Sequence, residues 1–144
     1  METVTLLHAW AEGLLHLQRM TIRAPITVTG VYDRHLGPRW NYAYIKVIAE
    51  PSEQVEVSLE VPLEKGLTEA ILREAIFGML DTLMTQPGLP VVNLRLRVVG
   101  AVLDPVRSTQ HAFRLAGRLA AKELLATAEL VPPSSATDQN RSQT

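Results

Sequence analysis

The sequence predicts an α/β fold in which four strands and two helices follow as strand, strand, strand, helix, strand, helix. Three features predict it. Residues 55–61, VEVSLEV, alternate strictly between apolar and polar side chains, the two-residue period of a half-buried strand. Two longer segments, Leu67–Thr85 and Ser108–Ala126, repeat their apolar residues every three or four positions, the period of a helix packed on one side. Proline and glycine pairs, Gly37–Pro38 and Pro87–Gly88, punctuate the chain between elements.

Taken in order, residues 1–20 carry Leu6, Leu7, Trp10, Leu14 and Leu17 at helical spacing. This predicts an extra N-terminal amphipathic helix, interrupted by Gly13. Ile26–Tyr32 reads as the first strand, with Ile26 and Val28 on one face and Thr27 and Thr29 on the other. His35–Asn41 reads as a loop. In the second strand, Ala43–Ala49, Ala43, Ile45 and Val47 share a face opposite Tyr44 and Lys46. Pro51 and Ser52 turn the chain into the third strand, Val55–Val61. There Val55, Val57, Leu59 and Val61 face the core, and Glu56, Ser58 and Glu60 face water. Burial of such an aliphatic side chain is worth roughly 1.5–3 kcal/mol, so a one-residue slip of register is strongly disfavoured.

Leu67–Thr85 is a helix stopped by Pro87 and Gly88. Ile71, Leu72, Ala75, Ile76 and Met79 form an arc wide enough to cover a sheet, and Phe77, Leu80 and Met84 lie beyond it. That surplus, with Trp10, is expected to pack against the N-terminal helix or to form the interface of a homodimer. Val91–Val99 is the fourth strand, with Val92, Leu94, Leu96 and Val98 inward and Asn93, Arg95 and Arg97 outward. Gly100–Arg107 is a loop, and Ser108 caps the last helix. On that helix Ala112, Leu115, Ala116, Leu119 and Ala120 fall on one side, with Phe113 at the margin. Residues 133–144, rich in Ser, Thr and Gln, are expected to form a disordered tail, which leaves residues 21–132 as one domain.

The formal net charge of −1 conceals an asymmetry. From Glu50 to Asp81 eight acidic residues face Lys65 and Arg73 alone. From Val91 to Lys122 the balance reverses, with Arg95, Arg97, Arg107, Arg114, Arg118 and Lys122 against Asp104. On the last helix His111, Arg114, Arg118 and Lys122 share one ridge, continued upstream by Arg107. Such a ridge tracks a phosphate backbone by charge alone. The reading of the same ridge as an ordinary solvated face stays open beside it.

Several classes are excluded or disfavoured. With no cysteine, disulfide and thiolate chemistry are ruled out. There is no apolar run of membrane-spanning length and no leader-like N-terminus, so a cytoplasmic protein with no membrane partner is expected. No phosphate-binding glycine loop is present, so no nucleotide is expected. The histidines, His8, His16, His35 and His111, show no metal-ligand spacing. No catalytic residue, metal or cofactor is predicted. Trp40, beside Arg39, is a candidate for stacking on a base.

Three segments in order resemble domain IV of elongation factor G: IRAPITVTGVYDRHLGPRWNYAYIKVIAEP (residues 22–51), LEKGLTEA (63–70) and PVVNLRLRVVGAVLDPVRSTQHAFRLAGRLAAKELL (90–125). The resemblance implies a two-layer α/β sandwich, with a four-stranded sheet, two helices on one face and a left-handed βαβ crossover. It also implies a role at the ribosome, because in that family the loops at the domain tip touch RNA and tRNA. The matching tip loops are Leu36–Tyr42, with Gly37, Arg39, Trp40 and Asn41, and Gly100–Arg107. In the second loop Asp104 stands where the family usually has a histidine. The expected partner is the ribosome or a structured RNA. The alternative is an oligomeric protein-binding module that has lost the RNA role.

Overall fold

The structure, a computed structural model, describes residues 19–36, 39–63, 67–104 and 108–133. Its elements are β1 (Thr21–Ile22), β2 (Ile26–Leu36), β3 (Arg39–Pro51), β4 (Glu56–Leu59), α1 (Glu69–Thr85), β5 (Leu94–Val102), α2 (Gln110–Thr127) and β6 (Leu130–Val131). The main sheet has the order β2-β3-β5-β4. Pairing is antiparallel from β2 to β3 and from β3 to β5, and parallel between β4 and β5. A parallel neighbour needs a crossover, and α1 supplies it. The predicted N-terminal helix, with Trp10, and the predicted tail lie outside the described residues, apart from Met20, which bridges to Val91.

One face of the sheet and both helices share a single core. Val28, Ala43, Ile45, Val47, Leu96 and Val98 contribute from the strands, as the alternation predicts. Leu72, Ile76, Met79, Phe113 and Leu124 contribute from the helices. Thr68 caps α1 by accepting a hydrogen bond from the Ile71 amide at 3.3 Å. A β-bulge between Lys46 and Val47 shifts the β3–β5 register: Val47 pairs with Val98 and Lys46 with Gly100, which leaves Val99 unpaired.

Several expectations are corrected. The segment read as the loop His35–Asn41 is mostly ladder, since β2 and β3 pair as far as Leu36 with Arg39. β5 likewise extends through Gly100, Ala101 and Val102, residues that the sequence assigns to a loop. Thr109, not Ser108, caps α2, accepting from the Ala112 amide at 3.0 Å. Leu119 is 37% exposed and Leu115 half-buried, while Gly117, Ala121 and Leu124 are buried. The buried arc of α2 is turned this way because the helix packs on both the sheet and α1. Asn93 precedes β5 rather than facing outward from it, and is buried. Its carbonyl accepts from the Thr21 hydroxyl and from the Ser52 amide. A small second sheet, β1 with β6, pairs Thr21 with Val131 and has no counterpart in the sequence-based expectations.

Candidate functional site

The sheet ends unevenly. The last β3–β5 pair is Tyr44 with Val102. Beyond it β2 and β3 stay paired through Ala43, Tyr42, Asn41, Trp40 and Arg39. At about 3.3 Å of rise per residue, these five extra pairs make a two-stranded ribbon projecting about 17 Å past the rest of the sheet. Near its tip His35 and Trp40 are cross-strand partners, their rings stacked with centroids 4.7 Å apart and planes 17° from parallel. The Trp40 indole N–H donates to the Asp33 carboxylate on the same face, which holds the ring in one orientation. Trp40 is 39% exposed, and Arg34 and His35 are exposed beside it. Asn41 pairs with Arg34 in the register, and Arg39 closes the ladder opposite Leu36. Gly37 lies outside the described residues.

The second tip segment is tied to the base of this ribbon. The Asp104 amide donates to the Ser108 hydroxyl oxygen at 2.8 Å, and that hydroxyl donates to the Tyr42 carbonyl at 2.7 Å. The Ser108 amide donates back to the Asp104 carbonyl. Both predicted tip loops are thus at one end of the molecule, as their sequence assignment requires. Asp104 is half-buried there.

The basic residues are brought together less than their spacing suggests. Arg97 sits on the outer face of the sheet between two carboxylates. It bonds Glu60 through Nε at 2.7 Å and through a terminal nitrogen at 2.9 Å, and Glu50 at 2.8 Å. Hydrogen bonding from Arg97, with a further bond from the Ser58 hydroxyl, holds the Glu60 carboxyl down at about 2, against an ordinary 4.5. The Arg97 guanidinium is shifted upward by the same contacts. Arg95 is exposed and lies in register between Glu50 and Glu56. On α2, Arg114 meets Glu74 of α1 at 2.6 Å, and Arg118 meets Asp81 more loosely at 3.6 Å. Lys122 is exposed, and Arg107 lies outside the described residues. The ridge is real, but two of its three described arginine and lysine side chains face carboxylates. The acidic block of the sequence has folded against the basic block.

Among the apolar candidates for an interface, Leu80 is fully buried in the core, where α1 meets its neighbours, so it does not reach the surface. Met84 is half-buried against the same core, and Phe77 is 36% exposed. Among the described residues no group of three His, Asp or Glu could hold a metal ion, and no helix is long and apolar enough to cross a membrane. Sequence reasoning missed the ribbon. Its signal was a two-residue connection beginning with glycine, flanked by VYDRHL and RWNYAYI.

No family model matches the chain. Over 119 residues it is 29% identical to elongation factor G of Thermotoga petrophila, covering 78% of this chain and 17% of that protein. To elongation factor G 2 of Syntrophus aciditrophicus it is 24% identical over 121 residues, covering 74% and 16%. A crystal structure of an elongation factor G-like chain from Thermus thermophilus superimposes with a TM-score of 0.68 at 25% identity, over 78% of this chain and 17% of that one. The chain thus spans about one sixth of the length of the relatives it matches. The match falls on a domain IV-like region and not on the GTPase domain.

Proposed function

We propose that this chain, a homologue of the domain IV-like segment of elongation factor G, is a non-catalytic cytoplasmic protein of the translation apparatus that contacts ribosomal or other structured RNA through the projecting β2–β3 ribbon. The observation that carries this reading is the His35–Trp40 stack near the tip of a ribbon that stands clear of the sheet. An exposed aromatic face accepts an unstacked base of any identity, and such stacking is worth about 1–3 kcal/mol per base. Arg34, exposed beside the stack, adds charge attraction to phosphate at the same place. The α2 ridge is the weaker contact. Phosphate must there displace Glu74 from Arg114 or Asp81 from Arg118, although exposed ion pairs of this kind hold by only about 0–1 kcal/mol.

The test is cosedimentation with small ribosomal subunits across a salt series. Trp40→Ala is expected to weaken binding by roughly ten- to a hundredfold, the equivalent of one lost stacking contact. Its melting temperature should stay close to the parent's, because the side chain is outside the core. Binding that is unchanged in Trp40→Ala, or that does not fall with salt, rules the reading out.

A further inference from the structure

We propose that the groove between the free edge of β2 and helix α2 docks an extended segment of another protein, one that alternates apolar and acidic side chains and joins the sheet as a fifth strand. The groove has a volume of about 300 Å³. Residues 31–34 line it from the strand, and Leu115, Arg118, Leu119 and Lys122 line it from the helix.

The backbone makes the first part of the case. β2 lies at the end of the sheet order, so β3 is its only neighbour in the sheet. In an antiparallel ladder, alternate residues turn their N–H and C=O toward the partner strand and away from it. Thr29 belongs to the outward set, because its amide donates to the Glu123 carboxylate of α2 at 3.1 Å. Val31 and Asp33 share its parity, so their amides and carbonyls line the same edge further on. No other backbone segment among the described residues pairs with them. Protein edges are usually blunted by charge, proline or a bulge. Here α2 blunts the edge at Thr29 through Glu123, and the stretch that follows opens onto the groove.

The side chains make the second part. Val31 is 45% exposed and Leu119 37% exposed, on neighbouring elements of one groove. Around them stand Arg34, Arg118 and Lys122, against Asp33, whose carboxylate is engaged by the Trp40 indole. Asp81 holds Arg118 only at 3.6 Å. An acidic peptide strand meets all three demands: the open row of backbone donors and acceptors, the apolar pair and the positive rim. RNA phosphate would satisfy the rim alone. The inference uses neither the His35–Trp40 stack nor the ribosome.

The test is fluorescence polarisation with the full chain and a fluorescein-labelled ten-residue peptide of alternating valine and glutamate. Saturable binding is expected, with at least a tenfold loss for the Arg118→Glu, Lys122→Glu double variant and for Leu119→Lys. The same peptide with lysine in place of glutamate should not bind. Peptides N-methylated at every valine, or at every glutamate, probe the strand pairing on the unaltered protein, and at least one of the two should lose binding. No binding up to about 1 mM, or equal binding by both methylated peptides, overturns the proposal. So does displacement of the peptide by a ten-nucleotide uridine RNA, which would make the groove a nucleic-acid site. The peptide assay contains no ribosome, so its failure leaves the ribbon reading standing, and failure of the ribbon reading leaves the groove untouched.

Discussion

Arg97 shows how one side chain can look functional in sequence and prove structural in place. It stands outward from β5, as the alternation requires, yet it is clamped between Glu50 and Glu60. The clamp has a measurable consequence in acid. A carboxyl whose folded value lies near 2 and whose unfolded value lies near 4.5 is charged in both states above 4.5, where its contribution to stability is complete. Between 4.5 and 2 the unfolded chain takes up the proton first, and the contribution is lost as pH falls. Thermal melts of Glu60→Gln should therefore fall less steeply with pH over that interval than those of the parent. Parallel curves would show that the Arg97 bond does not hold the carboxyl down.

At the scale of elements, the closeness of α1 and α2 is set by two glycines. A Cβ on Gly117 would stand 1.9 Å from the Ala75 carbonyl oxygen, and one on Gly78 would stand 2.0 Å from that of Arg114. Each helix thus presents a bare backbone spot to a carbonyl of the other, and no side-chain movement could make room there. Gly117→Ala raises helix propensity, by about 1 kcal/mol. The overlap nonetheless dominates, and the variant should be destabilised by about 1–3 kcal/mol net in urea unfolding. A neutral or stabilised variant would mean that the helices sit further apart than described. Gly30 plays the same part where α2 crosses β2, against the Ala116 carbonyl. The ribbon is the other decision taken at this scale. Exposed on both faces, it lacks the apolar alternation by which β4 announces itself.

At the scale of the whole molecule, the ends of the described domain hold each other. Thr21 and Ile22 pair with Val131 and Leu130, and Arg23 reaches Glu129 at 2.9 Å. Ile22 and Val131 are both buried, Ile22 within the main core. Val131→Ala should therefore lower global stability by roughly 2 kcal/mol with an unchanged denaturant slope. A loss confined to local fraying, seen as faster amide exchange in β1 and β6 at an unchanged unfolding midpoint, would contradict this. Charge is also settled globally. Glu50 and Glu60 go to Arg97, Glu74 goes to Arg114 and Asp81 to Arg118. The two charged halves of the sequence largely cancel across the α1–α2 seam and the outer sheet face.

Local periodicity was enough to read the element order, the inward residues of β2, β3 and β5, and the span of both helices. A two- or three-to-four-residue repeat is imposed by burial on one side, and it survives in the chain as text. The three segments that resemble domain IV were legible in the same way. Four things were not: the length of the ribbon, the β1–β6 closure, the glycine contacts and the partners of the arginines. Each depends on closeness between residues far apart in the chain, or on exposure of both faces of an element. Neither leaves a periodic trace, because charge pairing and close approach are properties of juxtaposed surfaces, and only the packed fold creates them.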